Sequence, residues 1–209
     1  MAHINNGHFG SYQGKIGAVT GVKRLGKFYI RQSITHNASK TKSQMLIRQQ
    51  FTNVTRLLAP FAPAINVGFN HSTEVGQTPI NAAVGFNFHR ADPLTKEIDP
   101  TKLIISRGPL FNISGCMVTC PMADQTLKAV WTNNTNDIAA NENDIVYLVA
   151  YEARSRHIAL GAAKRKDESL GLKVPAEWAG TSVHTFVFTT TEDGSVNSDS
   201  AYVSSVSVE

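Results

Sequence analysis

The 209-residue chain, with 42% apolar and 17% charged residues, has the composition of one folded domain or two small ones, which excludes a wholly disordered protein. No run approaches the roughly 18–20 consecutive apolar residues of a membrane-spanning helix, and residues 1–8 are polar, without the apolar stretch of a secretory signal. The formal charge of +4 conceals an asymmetry: residues 1–73 hold nine Lys or Arg and no acid, whereas residues 74–209 hold eleven against sixteen Asp or Glu.

Opposite charge on two parts of one chain points to a polyanionic partner, or to docking of basic on acidic surfaces between copies. The candidate contact residues, toward nucleic acid or a neighbouring subunit, are the nine cations Lys15, Lys23, Arg24, Lys27, Arg31, Lys40, Lys42, Arg48 and Arg56. In chain order, the first part is punctuated by Gly7, Gly10, Gly14, Gly17, Gly21 and Gly26, a pattern of turns, bulges and close backbone approach. Phe28, Ile30, Gln32 and Ile34 alternate with Tyr29, Arg31 and Ser33, which predicts a strand. Gly21 to Lys27 matches a phosphate-loop spacing, but Phe28 stands where a Ser or Thr must reach magnesium, so that site is excluded. Rings beside cations at 27–31 also suit a single-stranded nucleic acid, although phosphate contact by the cations is the simpler reading.

A helix is predicted from a capping box at Thr41 and Gln44. Ile47, Phe51, Val54, Leu58 and Phe61 then recur as one apolar stripe, with Arg48 and Arg56 off it and Pro60 and Pro63 ending or kinking it. A shorter helix is predicted from Thr78 and Pro79, carrying Ile80, Ala83 and Val84 and weakened at Gly85; residues 89–102 read as a linker. Strands are then expected at 103–106, 113–119, 126–132, 145–153, 157–162, 169–174, 182–190 and 200–208. The 145–151 run is apolar on both faces, as in a central strand.

The expected fold is mainly β. A basic, glycine-rich β segment with one or two helices, residues 1–102, precedes a β-sandwich of fibronectin or immunoglobulin type, residues 103–209. No chemistry stands out along this fold. Cys116 and Cys120 would lie about 13 Å apart on a strand, too far for a disulfide, and read as packed thiols. The seven histidines lack metal-type spacing, and no Gly-x-Ser-x-Gly elbow occurs. The pairs Asp167-Glu168 and Glu192-Asp193 read as solvated turns. The expectation is a non-enzyme without catalytic residues, metal or cofactor.

The stretch from Trp131 through the Tyr147 strand, Leu172 to Pro175 and the final hairpin resembles a fibronectin type III domain. Gly14 to Gly17, Gln44 to Leu58, and Trp178 to Gly180 through Ser198 to Tyr202 resemble an uncharacterised family of Bacteroidota bacteria and their phages. The resemblance covers nearly the whole chain and implies the two-part layout and a phage or surface-structure context; it lends no catalytic residues. The functional expectation is a virion structural protein, capsid or other particle component, made in the host cytoplasm. It would self-assemble into a homo-oligomer and contact the packaged genome or its neighbours through the basic region. No membrane and no small-molecule substrate are expected. The alternatives are a bacterial surface adhesion or ligand-binding module and a cytoplasmic nucleic-acid-binding protein.

Overall fold

The computed structural model describes residues 3–4, 12–24, 26–33, 41–70, 73, 77–121, 125–135 and 140–208. Lys40, Gly7, Gly10, Ile34 and the histidines His8, His36 and His71 lie outside the described residues. Two compact units are present: residues 1–45 with 74–76, and residues 46–73 with 77–209.

In the first unit, β1 (His3–Ile4), β2 (Tyr12–Ile16), β3 (Val19–Arg24) and β4 (Lys27–Gln32) form an antiparallel sheet in sequence order. Gly17 (φ +55°) and Gly26 (φ +79°) take the left-handed conformation that its tight hairpin turns require and that a Cβ would penalise. The helix α1 (Lys42–Leu58) starts here as expected. The Gln44 N–H donates to Thr41 Oγ1 at 3.3 Å, and the Thr41 N–H donates to Gln44 Oε1 at 3.4 Å.

The second unit takes up α1 from Leu46. Pro60 and Pro63 do not end the helical run. Each falls in a first turn, of the 3-10 segment Ala59–Phe61 and of α2 (Ala62–Gly68), where a missing N–H costs no hydrogen bond. The helix α3 (Pro79–Phe88) begins at the expected cap, where Thr78 Oγ1 accepts the Asn81 N–H at 3.4 Å.

Strands β5 (Ser114–Thr119), β6 (Thr126–Thr132) and β9 (Ser169–Lys173) make a three-stranded sheet in the order β5-β6-β9. Strands β7 (Ile145–Glu152), β8 (His157–Lys164), β10 (Ser182–Thr190) and β11 (Ala201–Ser207) make a four-stranded sheet in the order β11-β10-β7-β8. Leu127, Ala129 and Trp131 of the smaller sheet share a core with Val146, Leu148, Ala150 and Val187 of the larger. The alternate residues Val149, Tyr151, Phe186 and Phe188 face the other way, onto Val54, Leu58, Phe61, Ile65 and Phe69. The unit therefore has three layers, helices on four strands on three strands. This explains why β7 is apolar on both sides: it has a layer against each.

Two expectations change, and the helices share a core with the four-stranded sheet. The apolar stripe of α1 is buried only in its second half: Val54, Leu58 and Phe61 have no exposure, whereas Ile47 and Phe51 are 57% and 53% exposed. Residues 103–106 are not a strand. Their polar groups bind side chains instead of a neighbouring ladder. Asn87 holds Ile104 at both its N–H (2.9 Å) and its carbonyl (2.7 Å), and Ser200 Oγ accepts the Ile105 N–H at 3.0 Å. The last residue of α2 lies so close to this segment that a Cβ on Gly68 would come within 2.5 Å of Ser106 Cβ. Gly68→Ala should accordingly lower the thermal midpoint, whereas Gly85→Ala, with open space around it, should raise it or leave it unchanged.

Candidate functional site

Register decides which of the nine cations act together. Lys15 pairs with Thr20 and Thr20 with Arg31, so one row of β2, β3 and β4 carries a cation at each end. Two and four residues along β3, Val22 pairs with Tyr29 and Arg24 with Lys27. Alternate residues of a strand share a face, so Lys15, Arg24, Lys27 and Arg31 stand together around Val22 and Tyr29. Thr20 Oγ1 and Ser33 Oγ, 2.8 Å apart, add hydroxyls to the same side.

The opposite face carries Ile16, Val19, Phe28 and Ile30, exposed by 42%, 38%, 42% and 68%. Lys23 falls here by parity, its ammonium 5.3 Å from the Phe28 ring centroid, a cation–π contact. The small sheet is thus amphipathic and open on both sides, one face cationic and one apolar.

Of the remaining candidates, Lys40 lies outside the described residues, Lys42 is in the first turn of α1, and Arg48 and Arg56 lie on the part of α1 in the second unit. Among the described residues the ion pairs are Lys164–Glu192 and Arg165–Asp144, so none of the described candidates is neutralised by one.

The groups set aside as chemistry have structural partners. His184 Nδ1 lies 3.2 Å from the Tyr202 hydroxyl on the neighbouring strand. Cys116 and Cys120 are half-buried, and burial pushes the Cys116 thiol up to about 11, away from a reactive thiolate. Asp193 is lowered to about 2 by the Thr191 hydroxyl and by the N–H and hydroxyl of Ser195, all within its own turn. Asp167 accepts the Lys164 N–H at 3.1 Å. Among the described residues no group of His, Cys, Asp and Glu is arranged to hold a metal ion, and no helix is long and apolar enough to cross a membrane.

The sequence reading missed the parity that gathers four of the cations, although the alternation Lys27, Tyr29, Arg31 displays it. It also missed Arg165, fully buried beside Asp144. A family model, described as a family of unknown function (DUF6266), matches residues 11–204 of the chain. No curated protein matches it.

Proposed function

The chain belongs to DUF6266, a family of unknown function, so its role has to come from its own residues, and we propose that it is a non-enzymatic structural protein of a self-assembling particle, a virion component. The layered unit is the building block. The small amphipathic sheet is the connector, docking through Ile16, Val19, Phe28 and Ile30 and presenting Lys15, Arg24, Lys27 and Arg31 to a polyanion.

The single observation that carries this reading is the two-faced sheet. An exposed apolar surface costs about 25 cal/mol per Å² relative to a buried one. Four cations share the other side, and none of them forms an ion pair with an acid among the described residues. Both conditions are relieved by association, the apolar face on a second copy and the cationic face on phosphates or on acids of residues 74–209. The strand orders β5-β6-β9 and β11-β10-β7-β8 support a fibronectin type III sandwich, a scaffold that serves as a module in larger structures. The residues resembling a Bacteroidota and phage family support the particle context.

Light scattering over a protein and salt series, with filter binding to duplex DNA, tests the proposal. The parent should associate at low salt, and Ile30→Glu should abolish association while leaving the second unit's melting unchanged. If the four clustered cations neutralise phosphates, the slope of log affinity against log salt should flatten by about 3 to 4 when all four become Ala, at roughly −0.9 per phosphate. A parent that stays monomeric at every concentration and still binds DNA would instead favour a nucleic-acid-binding protein, for which Tyr29, 49% exposed among the cations, is the stacking surface. A parent that does neither would end the assembly reading.

A further inference from the structure

Within the second unit, a cleft of about 250 Å³ opens between α1, the 91–98 segment and the β7–β8 hairpin. Arg56 enters it from the last turn of α1, and Arg156 from the hairpin. Asn53 fixes one wall by donating from Nδ2 to the Lys96 carbonyl at 3.1 Å. Glu97 stands at the rim, and Leu57 and Ile98 make the side apolar.

Three features mark this cleft as built for a ligand. Neither Arg56 nor Arg156 forms an ion pair with a described residue. Tyr151 is only 4% exposed, its ring packed on Phe61 at 4.8 Å between centroids, yet it lines the cleft, and its hydroxyl has no hydrogen-bond partner among the described residues. Burial raises the Tyr151 hydroxyl above its ordinary range, with the charge of Arg156 acting against that rise and the charge of Glu152 adding to it. Third, the hairpin places Arg156 at some cost. Glu152 accepts the N–H groups of Arg154 (2.9 Å) and Ser155 (2.5 Å) and closes the turn, and Arg156 then takes φ +58°, a conformation favourable for glycine and not for arginine. A strained side chain kept at a cleft is a mark of function.

Two guanidiniums and a phenol offer donors and want an oxygen acceptor. With Glu97 the cleft carries one net positive charge, which suits a monoanion better than a dianion. Its volume is below the roughly 300–1,000 Å³ of pockets for drug-sized ligands, so it takes a group and a short apolar tail. We propose that this cleft binds a carboxylate, clamped between Arg56 and Arg156 and capped by the Tyr151 hydroxyl. The carboxylate comes from a free organic acid or from an acidic side chain of a second copy. The site does not depend on the small sheet, and Ile30→Glu leaves it intact.

Calorimetric titration of the full chain with butyrate, a monocarboxylate with a short apolar tail, against inorganic phosphate, tests this. Butyrate should bind saturably and more tightly than phosphate. Arg56→Gln and Arg156→Gly should each weaken it about tenfold or more, the range of charge-assisted hydrogen bonds, and Tyr151→Phe a few-fold. Arg156→Gly should melt no lower than the parent, because glycine suits the backbone there, so its loss of binding cannot be a folding defect. Glu97→Gln should narrow or reverse the preference over phosphate. Butyrate binding without effect on self-association identifies a free acid; butyrate that competes with self-association, itself weakened by Arg156→Gly, identifies a second copy. No saturation below roughly 10 mM with unaltered self-association of Arg156→Gly, equal butyrate affinity of Arg156→Gly and parent, or tighter binding of phosphate by the parent would each overturn the assignment.

Discussion

Asp144→Ala should cost the protein about 3–5 kcal/mol, the penalty for breaking a buried ion pair from one side. Arg165 is fully buried and Asp144 is 2% exposed, with Nη2 3.5 Å from Oδ2. The guanidinium also donates to Asn134 Oδ1 at 2.5 Å and to the Phe111 carbonyl at 2.6 Å, and the Arg165 carbonyl accepts the Trp131 indole N–H at 2.9 Å. These neutral acceptors would remain, but the buried guanidinium would lose the Asp144 carboxylate, and the Asn141 N–H would lose its 2.8 Å bond to Oδ2. Urea midpoints measure the loss. Glu192→Ala is the control, because the Lys164–Glu192 pair is 41% and 62% exposed and should matter by no more than about 1 kcal/mol. The double change Asp144→Leu with Arg165→Met should recover most of the deficit, since apolar replacement of both partners removes the unpaired charge. Equal midpoints for Asp144→Ala and Glu192→Ala would mean that the buried pair contributes nothing.

Val54→Asp should prevent folding of the layered unit or cost several kcal/mol, a large share of a typical stability of about 5–15 kcal/mol. Val54 has no exposure and packs in the core that joins α1 to the four-stranded sheet. Ile47→Asp, on the same stripe but 57% exposed, should leave the thermal midpoint near that of the parent. Far-ultraviolet circular dichroism melts of the two variants distinguish a stripe buried along its length from one buried in its second half. Similar losses for both would contradict the exposure seen at Ile47.

Patterns confined to one element were readable from the sequence. Thr126–Thr132 and Ser182–Thr190 coincide with the expected strands, because alternation and flanking turn residues are local signals. The same holds for the caps at Thr41 and Thr78. Depth of burial was not readable: periodicity shows that Ile47 and Val54 share a face of α1, but not that the sheet covers only the second half of it. Nor was the fate of residues 103–106, whose backbone partners Asn87 and Ser200 come from distant parts of the chain. At the candidate sites the division is similar. The shared face of Lys15, Arg24, Lys27 and Arg31 follows from strand parity and hairpin register, both local. The cleft at Arg56 and Arg156 draws on three separate segments, and only folding brings them together.

The helix layer has a consequence for how the chain is made. Asn197 Nδ2 donates to the Gly68 carbonyl across 129 residues, and Phe61 waits for Phe186 as its ring partner. Contacts this distant in sequence slow folding, because a long loop must close before they give anything back. A ribosome adding roughly 5–20 residues per second needs on the order of 6–25 s to deliver Asn197 after Gly68. For most of that interval Leu58, Phe61, Ile65 and Phe69 lack the complete sheet, whose inward residues come from both β7 and β10. The outer core therefore closes late, once β10 has emerged. A chain interrupted before β10 would present its apolar helices to chaperones and proteases instead of to a sandwich.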